Sequence, residues 1–309
     1  MPSARYDRCV AQIKLNWQSK LVLLLVLPFA GAGVVLQAHW WAVNYQPVAL
    51  WSLGLSLLLG LVVHELGAAT PGGAFTGAAI TASLMFSTAT FTPGESLAYA
   101  PWHSALLPVL AVFVLAHIST RLGREQKLRL GTAERRQGRT AAQVAANLGM
   151  AGLACEGVTQ SWLTGSLWFA HIEPALLLAA GLAALAEAAA DTVSSEIGQI
   201  LGGRPRMVTT LRRVEAGTDG AVSLIGTLAG VASAGIVAAV GAWALDGGAA
   251  MFWISCAGGV FGLIFDSLLG ATLERRGWLN NDAVNFLSTI SAAAFALGVL
   301  ASMAHFGVG

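Results

Sequence analysis

Charged residues are scarce in this chain of 309 amino acids. Asp, Glu, Lys and Arg make up 11% of the sequence, whereas hydrophobic residues make up 56%. A soluble domain typically has about a quarter charged residues, so this composition predicts an integral membrane protein instead. The net charge of +1 by itself is uninformative. We expect the lipid bilayer as a partner and no nucleic acid.

Cysteine and the common catalytic motifs are also nearly absent. The three cysteines, Cys9, Cys155 and Cys256, are far apart and have no CxxC or Cys/His spacing, so we predict neither a disulfide framework nor a zinc site. The sequence has no GxSxG, HExxH, Walker A loop or dinucleotide fingerprint. These absences argue against covalent serine chemistry and against a metalloprotease.

Long apolar runs fill most of the chain instead. A helix needs about 20 mainly apolar residues to cross a membrane, and nine segments qualify. The sequence therefore predicts an all-α, polytopic bundle in the lipid bilayer, with residues 1–309 forming a single membrane domain. The predicted helices cover residues 21–40, 47–64, 71–91, 102–120, 140–157, 171–191, 219–244, 249–272 and 283–305.

The distribution of positive charge predicts how these helices are oriented. With a cytoplasmic N-terminus and nine crossings, every Lys and Arg lies on the cytoplasmic side, as the positive-inside rule requires. We expect a multi-pass protein of the cytoplasmic membrane with its C-terminus outside. Its first helix is predicted to be an uncleaved membrane helix rather than a signal peptide. The predicted cytoplasmic segments are the basic N-terminus 1–20 and the loops 121–139 and 192–218.

Two acids interrupt an otherwise apolar segment in the stretch ALAEAAADTVSSEIG, which begins at Ala184. Glu187 and Asp191 are four residues apart, so they lie on one helix face. Acids are costly inside a membrane and by default indicate a functional site. Asp219 and Asp266 fall in the same predicted third of the membrane, and carboxylates suit Mg2+. We therefore predict that these four acids bind Mg2+.

Asp191 and Asp266 are also predicted to be catalytic, although Asp266 could instead form a buried pair with an arginine. Four predicted helices begin on the cytoplasmic side with capping residues, and helix N-termini favour phosphate. The predicted caps are Thr70 with Pro71, Thr140, Thr218 with Asp219, and Asn281 with Asp282. Any helix needs such caps, so one cap alone is weak evidence. Arg139 precedes one of these helices and is predicted to be catalytic and to bind phosphate, whereas Arg121 and Arg124 are explained by orientation alone. The full set of predicted phosphate-binding residues is Arg139, Arg212, Arg213, Thr218, Gly220, Ser223, Asn147, Asn281 and Asn285.

Several motifs together resemble a known family. They are GRTAAQVAANLG from Gly138, ALAEAAADTVSSEIG, GTDGAVSLIGTLAG from Gly217, and FDSLLGATLERRG followed by NNDAVNFLST. In this order they resemble the integral membrane family called domain of unknown function 92, or transmembrane protein 19-like. The resemblance implies that functional positions fall at Arg139, Glu187, Asp191, Asp219, Asp266, Asn281 and Asn285.

The resemblance also implies an activity. The best-understood one in that family is plant phytyl-phosphate kinase, which converts an isoprenyl monophosphate to the diphosphate with a nucleoside triphosphate, and related membrane kinases use CTP. We therefore predict a membrane isoprenoid-phosphate kinase that uses Mg2+ and acts at the cytoplasmic face. A transporter or flippase for an anionic lipid or metabolite is the alternative, a scaffold without chemistry is a third, and homodimer formation stays open.

Overall fold

The fold is all-α, as the composition predicts. A computed structural model describes residues 15–90, 99–131, 138–169 and 171–306, apart from the side chain of Leu130. The α-helices are α1 Asn16–Asn44, α2 Gln46–Glu65, α3 Pro71–Ser87, α4 Leu106–Arg121, α5 Arg124–Leu130, α6 Ala141–Cys155, α7 Gly157–Thr164, α8 Ala179–Leu201, α9 Leu224–Ala244, α10 Gly248–Leu269 and α11 Asn281–Phe306.

Short elements join these helices. Two 3-10 turns, Leu167–Phe169 and Pro174–Leu178, precede α8, and a π-helical turn, Gly270–Glu274, extends α10. The loop after α8 contains an antiparallel pair of two-residue strands, β1 Arg206–Met207 and β2 Ala221–Val222.

Each of the nine predicted segments contains a helix, but the helices differ in length. Within the described ranges, six helical segments are long and apolar enough to cross a membrane. The helices in the third, fourth and fifth predicted segments have only 17, 16 and 15 residues. A multi-pass membrane protein is therefore confirmed, whereas nine crossings and the orientation of the termini stay predictions.

The helix that carries Glu187 and Asp191 is the centre of the bundle. α8 packs against α4, α6, α9, α10 and α11. In the most apolar stretch of this helical segment, 83% of the residues are buried inside the protein, compared with 22–39% in the other long helices. Seven alanines from Ala179 to Ala190 are fully buried, and side chains this small let neighbouring helices come close. The acids therefore lie among five helices.

Two of the four predicted N-terminal caps are confirmed. The Thr70 hydroxyl accepts a hydrogen bond from the Gly73 N–H, and Thr140 forms a full capping box with Gln143. The other two are wrong by a few residues. Ser223, not Thr218 with Asp219, caps α9, and Asn280, not Asn281 with Asp282, accepts the Ala283 N–H at 2.9 Å.

Two predicted loops contain helix. α8 continues to Leu201, so the loop predicted from residue 192 begins about ten residues later. The predicted loop 121–139 contains α5, which packs on the end of α8, where the Gln126 side chain donates to the Ile200 carbonyl at 3.3 Å. The polar residues at the end of α8 favour a loop locally, but these tertiary contacts keep them helical.

Candidate functional site

Three acids from two helices meet on one side of α8. Glu187 and Asp191 come from α8, and Asp266 comes from α10. Asp191 lies within hydrogen-bonding reach of Asp266, and Glu187 interacts electrostatically with both. We call these three residues the acid cluster. Three of the four acids predicted from the sequence are thus brought together.

The acid cluster contains buried oxygen atoms without partners. Glu187 is only 1% exposed. Its Oε1 and the Oδ2 of Asp266 are buried and have no hydrogen-bond partner among the described residues. A buried polar atom without a partner destabilises the fold, which is typical of a site that needs a ligand.

Neighbouring helices make room for these carboxylates. Ser288 of α11 lies within hydrogen-bonding reach of both Glu187 and Asp266. Gly262 of α10 faces Glu187, and a methyl group at that position would lie 2.5 Å from the Glu187 Cγ. The absence of a side chain at residue 262 therefore admits Glu187 between α8 and α10.

Arg139 is the positive charge beside the acid cluster. Its guanidinium interacts electrostatically with Asp191, and its Nη2 donates to the Thr192 hydroxyl at 3.3 Å. Backbone hydrogen bonds to Ala68 and Thr70 hold the residue beside the N-terminus of α3. Arg139 therefore lies beside the acid cluster, with its partners at the middle of α8, and its catalytic and phosphate-binding roles stay predictions.

Further acids surround the cluster on the side of the π-helical turn. Glu274 interacts electrostatically with Asp191, Asp219 and Asp282. Asp219 itself is exposed in the loop before α9, so it lies at the edge of the site. Gly220, with φ of 73°, packs against Ala271 and leaves no room for a side chain. This close contact joins the loop to the π-helical turn.

Other predicted phosphate-binding residues lie elsewhere. Arg212 and Arg213 are exposed, and their backbone contacts stay within the loop at Met207 and Arg206. The Thr218 hydroxyl donates to the Glu215 carbonyl at 2.7 Å, also within the loop. None of these contacts links the three residues to the acid cluster.

The remaining predicted residues have structural roles or lie beside the site. The Ser223 hydroxyl accepts the Gly226 N–H at 3.1 Å. Asn281 is exposed at the start of α11. The Asn285 carbonyl accepts the Ser288 hydroxyl at 2.9 Å, which places Asn285 one turn from the serine beside the acids.

A cavity adjoins the site at Arg139, which belongs to its lining. Its volume is about 230 Å³, and residues of α2, α3, α4 and α6 line it. Most of the lining is Gly, Ala, Leu and Val, but Arg139 and the buried Asn147 lie at its boundary. Arg121 and Arg124, which the sequence interpretation assigned to orientation alone, also line it. We call this space the apolar cavity.

The acid cluster is too sparse to form a complete metal cage from protein side chains. No group of three or more His, Cys, Asp or Glu within the described ranges has the arrangement of a metal-binding set. Mg2+ usually takes only one or two carboxylates together with substrate phosphates. The partnerless oxygens of Glu187 and Asp266, beside Asp191, fit that smaller requirement.

Two functional candidates escaped the sequence analysis. Ser288 belongs to the motif NNDAVNFLST, three residues after Asn285, and this spacing on a helix could have indicated it. Glu274 belongs to FDSLLGATLERRG and follows Asp266 by eight residues, so on a regular α-helix the two side chains would point about 80° apart. The π-helical turn reduces this angle.

A helix bundle with membrane-spanning segments and buried acids at its centre defines the class: a polytopic membrane protein with a polar site. The family is more specific. Residues 54–293 match the family model described as "Integral membrane protein DUF92", and the chain belongs to this family.

Individual relatives span bacteria, archaea and plants. The chain is 44% identical over 109 residues to an uncharacterized membrane protein of Methanocaldococcus jannaschii, covering 35% of this chain and 45% of the relative. It is 36% identical over 211 residues to one of Synechocystis, covering 65% and 75%. It is 30% identical over 188 residues to the chloroplastic protein VTE6 of Arabidopsis thaliana, covering 60% and 55%. No solved structure matches the chain.

Proposed function

We propose that the protein is a membrane isoprenoid-phosphate kinase. It transfers the terminal phosphoryl group of a nucleoside triphosphate, with CTP the expected donor, to a prenyl or phytyl monophosphate. The observation that carries this proposal is the position of Arg139 between the acid cluster and the apolar cavity. A lipid phosphate and a metal-bound nucleotide can meet at that point.

The reaction is a simple displacement at phosphorus. An oxygen of the prenyl monophosphate attacks the γ-phosphorus, a new P–O bond forms, and the bond from the γ-phosphorus to the β–γ bridging oxygen breaks. The nucleoside diphosphate leaves with that oxygen. A phosphate monoester has its second pKa near about 6, so the acceptor is already ionised near neutral pH and needs no strong general base.

The residues then contribute mainly position and charge. Glu187, Asp191 and Asp266 would hold Mg2+, which supplies charge neutralisation of the triphosphate. Arg139 offers a forked guanidinium for a phosphate oxygen, and Thr192 holds it at 3.3 Å. Asn147 of α6, which also lines the apolar cavity, is available to the lipid phosphate. Phosphoryl transfer requires little more than this from the protein.

Family membership agrees with this chemistry. The sequence motifs resemble a family in which phytyl-phosphate kinase is the best-understood activity, and a chloroplast protein is among the relatives. On this proposal the acid cluster faces the cytoplasm, from which the nucleotide comes, and the basic loops lie on that side.

An assay with purified protein tests the proposal. Geranylgeranyl or phytyl monophosphate is supplied with Mg2+ and each γ-labelled nucleotide in turn, and labelled prenyl diphosphate is the expected product. Chelation with EDTA should stop turnover. If no nucleotide yields diphosphate, while proteoliposomes move a lipid phosphate across the bilayer, the protein is a transporter instead.

Asp191→Asn is the variant that probes the acid cluster. It removes one negative charge without changing side-chain size. We expect turnover to fall at least about a hundredfold, because the charge that would hold the metal and interact with Arg139 is lost. Asp246→Asn is the matched control, since Asp246 is exposed in the turn between α9 and α10 with φ of 50°, which Asn accepts. Retained activity in Asp191→Asn, with a normal control, removes Asp191 from the reaction.

A further inference from the structure

We infer that the apolar cavity holds the hydrocarbon chain of a single-chain lipid phosphate, with the phosphate at its arginine-lined end. The inference rests on the proposed function and adds the place where the lipid binds. It also assigns Arg121 and Arg124 to the head group. The lining of the cavity and the distribution of its charges carry the argument.

The cavity is apolar along its length and cationic at one end. Gly77 and Thr81 of α3 and Val112 and Ala116 of α4 line its interior. Along α4 the lining runs from Val109 to Thr120, which is about 16 Å at 1.5 Å per residue. An apolar space of this length and of about 230 Å³ suits a flexible hydrocarbon chain.

Among the described residues, the charged side chains of the lining are arginines. Arg121, Arg124 and Arg139 belong to the lining, whereas no Asp or Glu of the described ranges does. Arg121 donates from Nη2 to the Leu66 carbonyl at 2.7 Å, which fixes its side chain at the loop after α2. Three positive charges at one end of an apolar space are complementary to an amphiphilic anion.

His117 and Asn147 add polar atoms near the same end. His117 stacks on Phe113, with ring centroids 5.4 Å apart, and both rings line the cavity. Asn147 is 6% exposed and donates from Nδ2 to the Gln143 carbonyl at 2.7 Å. Its oxygen therefore keeps a fixed orientation beside the cavity.

The position of Arg139 gives the bound lipid a direction. Because Arg139 contacts both the cavity and the Asp191 region, the phosphate would lie beside the acid cluster and the chain would extend away from it. This arrangement places the acceptor phosphate where the proposed transfer occurs. The size of the cavity would then select the length and number of chains.

Filling the cavity tests the inference. At Gly77 a new Cβ would meet one described atom within 4 Å, the Val144 Cγ1 at 3.6 Å, so a larger residue can be introduced there without a clash at the Cβ. Gly77→Leu places a branched side chain in the space. Gly54→Leu, on an exposed part of α2 with no atom of the described ranges within 4 Å, is the matched control. Binding of geranylgeranyl phosphate is measured in the same detergent without nucleotide.

We expect Gly77→Leu to bind geranylgeranyl phosphate at least about tenfold more weakly, because overpacking excludes the chain. The binding of the shorter geranyl phosphate should be weakened less. Gly54→Leu should bind like the unmodified protein. A Gly77→Leu variant that folds and binds like the control overturns the inference and leaves the kinase proposal intact.

The head-group assignment has its own test, which also covers the case in which Gly77→Leu does not fold. Arg124→Gln should weaken the binding of geranylgeranyl phosphate by up to about fivefold at low salt. The effect is small because Arg124 is exposed and its charge is screened. It should leave geranylgeraniol binding unchanged. Arg129→Gln, on the same helix but outside the cavity, is the control. Equal losses for phosphate and alcohol, or for both variants, contradict the assignment.

Binding and turnover separate the two proposals. If the protein binds geranylgeranyl phosphate with the expected variant pattern but forms no diphosphate, the proposed kinase function fails and the cavity assignment stands. If two-chain phosphatidate binds as tightly as geranylgeranyl phosphate, or if neither binds, the single-chain assignment is wrong.

Discussion

The buried ion pair between Lys127 and Glu196 allows a stability loss to be predicted from the structure. Lys127 is 1% exposed, and the Glu196 side chain is 15% exposed. The Lys127 Nζ also donates to the carbonyls of Ser119 and Thr120, at 2.7 and 3.2 Å. One ammonium group thus caps the end of α4 and pairs with the end of α8.

Replacing Lys127 by Met keeps an unbranched apolar stem but removes the charge. The carboxylate of Glu196 then loses its cationic partner and retains the hydrogen bond that the Thr120 hydroxyl donates at 3.2 Å, while two carbonyls at the end of α4 lose the ammonium donor. Removing one member of a buried ion pair costs about 3–5 kcal/mol. Because Glu196 is partly exposed, we expect a loss of about 3 kcal/mol, at the lower end of that range. Arg129→Met, on the exposed side of α5, should change stability by less than about 0.5 kcal/mol.

The free energy of unfolding would be measured by circular dichroism in detergent micelles with increasing SDS. A double-mutant cycle with Glu196→Gln isolates the pair, and the double variant should lose less than the sum of the two single losses. If Lys127→Met loses no more than about 1 kcal/mol, the pair behaves like an exposed one. The reasoning from burial would then be refuted.

Two other substitutions probe the acid cluster. Gly262→Ala adds a methyl group 2.5 Å from the Glu187 Cγ. Overpacking should lower the free energy of unfolding by about 1–3 kcal/mol, and kinase turnover should fall. Gly298→Ala is the control, with no described atom within 4 Å, and should be neutral or stabilising. Glu187→Gln should raise the free energy of unfolding by about 1 kcal/mol, because it relieves repulsion between the buried carboxylates of the acid cluster, and should still lower turnover. Unchanged stability with full turnover would remove Glu187 from the site.

Hydropathy was sufficient to predict the fold class, because membrane helices are encoded locally. Every apolar segment contains a helix, and the caps at Thr70 and Thr140 follow from local sequence. The end of α8 could not be predicted in this way. Ser194 and Gly198 contact Gly226 and Ser223 across the α8–α9 interface, and such long-range packing keeps a polar stretch helical after Asp191.

The candidate site was predicted in part for a similar reason. Glu187 and Asp191 share a face by spacing alone. Asp266 and Glu274 are eight residues apart and would diverge by about 80° on a regular helix at about 100° per residue. The π-helical turn, with the Arg275 N–H bonded to the Gly270 carbonyl, takes up about one extra residue and reduces the divergence to about 20°. Sequence spacing alone does not reveal that turn.

Arg139 connects two kinds of surface that a simpler function would not require together. A transporter for a small anion has no need of a deep apolar cavity that ends at arginines, and a lipid-binding protein has no need of carboxylates with partnerless buried oxygens. Arg139 has its backbone fixed by Ala68 and Thr70 and its guanidinium between Thr192 and the cavity. Because one residue contacts both surfaces, the arrangement is the one that the proposed phosphoryl transfer to a lipid phosphate requires.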